Sequence, residues 1–541
     1  AAVGGKGRRW DVGGRGGGDG TAAGRATCAR HALRVGVRWP MRIFLSPRVA
    51  TLLSVTALSA CTVGTDYHKP TDNSPSHCHE SVAPAEAHPT EAALDPQWWH
   101  LYNDSVLTHL EAEVVRSNLD LRTAALNLAE SQAERRIASA AQMPRLDGAA
   151  SYARERASTN GILGLLGTTE QASPGDVASG AQGFGPAAAD GAKGNPAFNL
   201  PQYGLSASWE VDFWGHVRRQ VEAATAAMHA TEDMQRNVLV SLMAETAQNY
   251  IALRNIQAQI AITQQSIEIA RHSVDLTNLR FTQGTATKLD VAYSRGQMHS
   301  FEARLPVLKS QEVHLINALS FLVAREPGAL ANTLGKPGAI PPVPTIIPTG
   351  LPSQLADRRP DIRAAQERLH AATASIGVAI ADFYPRITLS GSLDIQALQF
   401  SGLGSWASRQ YGFGPTMTLP LFEGGRLTGQ LHLRKAQQKE AAIALQKTIL
   451  HAWEEIDDAM TDLSTAQERQ KRLEESVTEN ETAVHIAQLQ YSQGAGDFLN
   501  VLTAQSALLS TRSALSEARA NVAQSVALLY RALGGGWEKV L

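Results

Sequence analysis

"YSQGAGDFLNV", residues 491–501, restates a stretch found 210 positions earlier, "FTQGTATKLDV", residues 281–291. Gln283/Gln493, Gly284/Gly494, Leu289/Leu499 and Val291/Val501 are identical, and Phe281/Tyr491, Thr282/Ser492 and Asp290/Asn500 are close substitutes. In each copy a glycine interrupts one long helical pattern and a second pattern follows. The motif therefore reads as a turn that reverses one helix into another, with Gly284 and Gly494 as the breaks. The expected second helices cover 289–325 and 498–532.

The helices that enter these turns set the scale of the molecule. From Gly215 to Arg280 no proline occurs, and Tyr250, Leu253, Ile256, Ile260, Ile267, Ala270 and Val274 recur at helical spacing. Beyond Gly425 there is again no proline, and Ile449, Trp453, Ile456, Met460 and Leu463 step alternately by four and three, a coiled-coil seam. Sixty-six residues of helix reach about 100 Å at the standard rise. Such helices are too polar for lipid and too long for a globule, and they suit a periplasm-sized space.

The repeat extends upstream. "DLRTAALNLAESQAERRIASAAQMPRL" from Asp120 aligns with "DIRAAQERLHAATASIGVAIADFYPRI" from Asp361, sharing Arg122/Arg363, Pro144/Pro385 and Arg145/Arg386. The offset is 241 residues here and 210 further on, so the first half carries extra chain. It is a Gly/Ala-rich insertion, "GILGLLGTTEQASPGDVASGAQGFGPAAADGAKGNPAF", without periodicity. Around it the pattern alternates as strands do. Leu205, Ala207, Trp209 and Val211 share one face; in the second half Ile387, Leu389, Gly391, Leu393 and Ile395 do the same, as do Phe413, Met417, Leu419 and Leu421. Strands are expected near 146–156, 203–213, 386–397 and 411–421. One apolar and one polar face suits a half-buried soluble sheet or a transmembrane barrel wall. Export to the envelope, read below, favours the barrel. Four strands cannot close one, since the smallest membrane barrels have eight.

The N-terminal region divides into segments. Residues 1–40 are Gly/Arg-rich and read as sequence upstream of the true start. Residues 41–60 read as a signal peptide: Arg42 and Arg48 form its positive region and Val49–Leu58 its apolar core, too short to span a bilayer. "LSAC" resembles a bacterial lipobox, which makes Cys61 the lipid-bearing first mature residue. Several acyl chains would anchor it stably. Thr62, rather than aspartate, after the cysteine fits sorting to the outer membrane. Residues 61–96 are a Pro/Ser/His-rich tether. His77, Cys78 and His79 can touch a soft metal, yet nothing nearby fixes their geometry, so no metal site is expected. The first repeat covers 97–335, a Pro-rich connector that cannot be helix or central strand covers 336–353, and the second repeat covers 354–541.

Composition excludes several classes. Acidic and basic residues nearly balance, 51 against 49, so no global field draws nucleic acid. The three cysteines have neither disulfide-framework nor zinc-ribbon spacing. There is no nucleophile elbow or phosphate-binding loop, and Glu454/Glu455 and Asp457/Asp458 read as solvated helix faces. No enzymatic activity is expected, and no cofactor beyond the covalent lipid.

"GLPSQLADRRPDIRAAQERL" (350–369) followed by "FYPRITLSG", with "WEVDFWG" (209–215), "LPLFEGGR" and the two turn motifs in the same order, resembles the outer-membrane lipoproteins of tripartite efflux pumps. These are the NodT-type members of the TolC-like outer membrane factors, and the likeness covers essentially all of 61–541. The resemblance implies a fold that is mainly α with a transmembrane β-barrel. In it a homotrimer closes a twelve-stranded barrel in the outer-membrane lipid, above a periplasmic tunnel of helices. It implies a passive export duct for small molecules or drugs, working with a periplasmic adaptor and an inner-membrane RND pump. A type I protein-secretion or heavy-metal efflux duct is the alternative. By the same resemblance the turn motifs narrow the periplasmic mouth, where the adaptor docks. Asp290, Asp497, Asn500 and Thr503 become the candidate gate, with Asn500 standing where relatives commonly have aspartate. Helix capping is the competing role for Asp290 and Asp497.

Overall fold

The computed structural model describes residues 62–69, 88–90, 95–156, 197–343, 346–348 and 358–538. Cys61, the segment read as a signal peptide, the His77/Cys78/His79 cluster and nearly all of the Gly/Ala-rich insertion lie outside them. The strands are β1 (His88–Thr90), β2 (Arg145–Glu155), β3 (Phe198–Glu210), β4 (Ile346–Pro348), β5 (Arg386–Gln396) and β6 (Arg409–Thr418). The helices are α1 (Ser105–Ser117), α2 (Leu119–Ala140), α3 (His216–Thr282), α4 (Lys288–Leu322), α5 (Ala331–Leu334), α6 (Pro360–Ala381), α7 (Arg426–Ser492) and α8 (Phe498–Ala532).

The long helices α3 and α7 have 67 residues each, and α4 and α8 have 35 each. A 67-residue helix extends about 100 Å. Because only five residues separate β3 from α3, and α3 ends at the 283–287 turn, the sheet and the turns occupy opposite ends of the long helices. Helix α3 is the spine, packing against α4, α6, α2 and α8, while α7 packs against α8 and α6.

The main core sits midway along the spine. Leu239, Met243, Tyr250 and Leu253 of α3 meet Ile456 and Leu463 of α7, Leu319 of α4, and Ala523, Val526 and Tyr530 of α8. The seam residues Trp453 and Met460 pack against this cluster. Trp98 stacks on Tyr530 with centroids 5.5 Å apart, and the buried Tyr102 hydroxyl donates to the Ala523 carbonyl at 2.7 Å. Aromatic pairs of this kind add to the burial of their own area. Glu111 is fully buried, and neither carboxylate oxygen has a hydrogen-bond partner among the described residues. Burial pushes its carboxyl well above the ordinary range, so the fold favours its neutral form.

The four-stranded sheet has the order β2-β3-β5-β6, antiparallel throughout. Its register sorts side chains cleanly. Leu146, Tyr203, Leu205, Trp209, Leu389, Leu393, Tyr411, Phe413 and Met417 fall on one face and are exposed. Ser206, Ser208, Thr388, Ser390, Ser392 and Thr416 fall on the other. The outer edges of β2 and β6 have no strand partner among the described residues. β3 begins earlier than the alternation predicts and runs through Pro201, which pairs with Tyr152. Its missing N–H is harmless, because the β5 ladder ends at the next pair, Gln202 with Gln396. β6 stops at Thr418, so Leu419 and Leu421, expected on the strand face, lie beyond its end, just around Pro420.

The Pro-rich connector supplies β4, which pairs in parallel with β1 to form a separate two-stranded sheet. Within the stretch read as a tether, residues 62–69 are pinned to helices. The Val63 N–H donates to the Trp214 carbonyl at 3.0 Å. Gly64, at φ +103°, crosses Gly377 so closely that a Cβ on Gly64 would lie 2.7 Å from the Gly377 Cα. Arg219, whose side chain is 4% exposed, binds Asp66 at 2.5 Å and Glu222 at 2.7 Å. Tyr67 stacks on His370 with centroids 4.5 Å apart.

Candidate channel mouth at the helix turns

Both turns are built alike. Gly284 and Gly494 have φ of +76° and +75°, the left-handed conformation that ends a helix at low cost only for glycine. Past each glycine the chain folds back onto the last helical turn. The Thr285 N–H donates to Arg280 O and the Ala495 N–H to Gln490 O, both at 2.9 Å.

Each following helix starts on a capped turn. In α4, Thr287 and Asp290 form a reciprocal capping box: the Asp290 N–H donates to the Thr287 hydroxyl at 3.2 Å and the Thr287 N–H to Asp290 Oδ2 at 2.8 Å. In α8, Asp497 is the N-cap and accepts from the Leu499 N–H at 3.2 Å. Both aspartates therefore cap helices. Asp290 is half-buried, whereas Asp497, Asn500 and Thr503 are exposed. The Thr503 hydroxyl returns to the Leu499 carbonyl at 2.9 Å.

The two turns of one chain meet through residues that sequence inspection does not single out. Arg280, on the last turn of α3, donates to the Tyr491 carbonyl, and its guanidinium lies 4.5 Å from the Tyr491 ring centroid. Tyr491 packs against Phe498, which is 1% exposed, and against Val501 and Leu502. Burial pushes the Tyr491 hydroxyl up; Arg280 opposes this, and Asp290 and Asp497 reinforce it. Arginine, tyrosine and both aspartates thus share one electrostatic neighbourhood. Above it, Gln297 binds Ser506 at 2.7 Å and Gln505 binds Ser273 at 3.0 Å, continuing the link between hairpins. The Arg280–Tyr491 contact joins positions 211 apart, and only the repeat offset hints that they are neighbours.

An amphipathic antiparallel sheet thus stands at one end of the long helices and the reversed turns at the other. The outer membrane efflux protein family model matches residues 112–325 and 351–535. Outer membrane protein OprJ of Pseudomonas aeruginosa is 30% identical over 492 residues, 91% of this chain and 96% of that protein. The toluene efflux pump outer membrane protein TtgF of Pseudomonas putida is 30% identical over 496 residues, covering 90% and 96%. The solved outer-membrane channel OprN superposes with a TM-score of 0.78 at 29% identity, over 88% of this chain and all of that one. The chain belongs to the outer membrane efflux protein family. It acts in efflux at the outer membrane and extends into the periplasm.

Proposed function

We propose that three copies of this chain close a twelve-stranded barrel and that the trimer is a passive duct without a catalytic step. The observation that carries this reading is the sheet, which has an exposed apolar face and two edges without a strand partner among the described residues. Open edges and bare apolar faces are unfavourable in water, and in lipid only a closed barrel satisfies every strand. Three sheets of four strands meet that requirement. The shared 210-residue offset of both hairpins supports an internal duplication, with repeats at 97–335 and 354–541 joined by the 336–353 connector. A periplasmic adaptor and an inner-membrane pump complete the assembly at the tips. The cargo is small organic molecules, a reading supported by the toluene pump component among the relatives.

Cys61 is the lipid attachment site in this proposal. Residues 62–69, clasped beside Trp214 just below the sheet, support an anchor held at the membrane surface. Cys61→Ser is expected to abolish acyl labelling and to leave unprocessed precursor; equal labelling of both forms would sink this assignment.

The mouth is the ring of turns. Three copies of Asp290 and Asp497 form anionic rings that favour cations and bind divalent ions, with Asn500 and Thr503 as the neutral exposed positions beside them. The test is single-channel conductance of the reconstituted trimer. Asp290→Ala and Asp497→Ala should each weaken cation preference and divalent block while costing about 1 kcal/mol through the lost cap. Unchanged selectivity with lowered thermal stability would leave these residues as caps alone.

A further inference from the structure

We propose that the outer rim of the barrel wall carries a docking site for a phosphorylated glycolipid of the outer leaflet, held by Arg154 and Arg409. This inference rests on the trimeric barrel reading. Directly opposed residues in an antiparallel ladder share a face, so the register assigns each strand residue to the apolar or the polar side. Followed from the helices outward, the apolar face of β2, β3, β5 and β6 carries no charged residue until its far end. Two then appear, and both are arginine. Arg154 is the penultimate residue of β2 and opposes Asn199; Arg409 opens β6 and opposes Ile395. Both are exposed.

Their surroundings are those of a membrane interface. Tyr152 stacks on Phe400 with centroids 5.5 Å apart, and the Arg409 guanidinium lies 4.3 Å from the Trp406 ring centroid. Phe400, Trp406 and Tyr411 are all exposed. Exposed aromatics at one level of a barrel wall mark the border between acyl chains and headgroups. This border is the one remote from the helices, and hence from the periplasm. The outer leaflet is the only lipid it can meet.

Closing the barrel sets the β6 edge of one protomer against the β2 edge of the next, with neighbouring strands about 4.8 Å apart. The two arginines, at opposite edges of a single sheet, then border the same seam. Each trimer has three such seams. Guanidinium groups bind phosphate through paired N–H donors, where an ammonium acts only as a point charge. A phosphate carried on acyl chains fits better than a free ion, because the same face beside and below the arginines, with Tyr152, Tyr203, Ile395, Leu393 and Leu205, is apolar. The lipid would bridge two protomers and stabilise the trimer.

The experiment uses the intact, detergent-purified trimer with diphosphoryl lipid A as probe, reading adducts by native mass spectrometry and the temperature of trimer dissociation. Wild type should take up to three adducts and dissociate at higher temperature with lipid. Loss of charge-assisted bonds should weaken binding about tenfold or more in Arg154→Ala/Arg409→Ala. Arg154→Lys/Arg409→Lys, which keeps the charge and the fold, should recover only part of it. Dephosphorylated lipid A and inorganic phosphate should not protect. Equal protection by phosphatidylglycerol, or unchanged adducts in the alanine variant, overturns the site while leaving the trimer intact. Absence of a trimer before lipid is added overturns the barrel reading and this seam with it.

Discussion

Arg359→Ala is expected to destabilise the protein by about 3–5 kcal/mol, the usual result of removing one partner from a buried ionic network. The Arg359 side chain is 7% exposed and binds Asp361 Oδ2 at 2.7 Å and Glu455 Oε2 at 2.6 Å. It also donates to the Ala532 carbonyl at 2.6 Å, satisfying an acceptor at the open end of α8. Burial opposes its charge, but the Asp361 and Glu455 carboxylates more than offset this, so its pKa lies above the ordinary arginine value. One side chain therefore ties the start of α6 to the middle of α7 and the end of α8. Lysine cannot reproduce the fork, and Arg359→Lys should recover less than half of the loss. Thermal unfolding and limited proteolysis of the purified protein measure this. A loss below about 1 kcal/mol would mean that the network is too solvated to matter.

Arg280→Ala should open the mouth with little effect on global stability. The substitution removes a charge-assisted hydrogen bond and a cation–π contact, about 2–4 kcal/mol together. The equilibrium between joined and parted hairpins then shifts by roughly two orders of magnitude. The expected readouts are a higher open probability in bilayers and entry of larger antibiotics into cells carrying the variant. Phe498→Ala offers a contrast. It hollows the tip core at Ala487, Tyr491, Val501 and Leu502, and should loosen the second hairpin without cutting the bridge to the first. If Arg280→Ala conducts as wild type does, the latch between hairpins lies higher, at Gln297–Ser506 or Gln505–Ser273.

The repeat made most of the architecture legible. Glycine as a breaker and an uninterrupted helical period place α3 and α7 within two residues of their observed limits, because nothing tertiary competes over such lengths. Alternation places all four strands of the larger sheet but not their ends, where Pro201 and Pro420 carry information that depends on the neighbouring strand. The site was legible only as a place. Gly284, Gly494, Asp290 and Asp497 stand at the turns as expected, whereas Arg280 and Tyr491 are ordinary helix residues until the hairpins meet. Likewise "RRPDIR" was recognisable as a pattern, but the use of Arg359 depends on Glu455 and Ala532, far along the chain. The clasp of residues 62–69 leaves no pattern in the sequence, because a short segment held by isolated contacts lies beside Pro/Ser-rich chain.

The position of the main core has a mechanical consequence. Trp98, Tyr250 and Tyr530 lock the helices together halfway along α3, and between them and the turns the described residues form only the smaller clusters around Phe301 and Phe498. From Tyr250 to Thr282 is about 50 Å of helix, so a rigid tilt of about 5° at this fulcrum moves the tip by about 4 Å. A displacement of that size separates Arg280 from Tyr491. A rigid tilt makes the lower helices levers hinged at mid-height, and a push near the tips has leverage that the same force applied beside the core would lack.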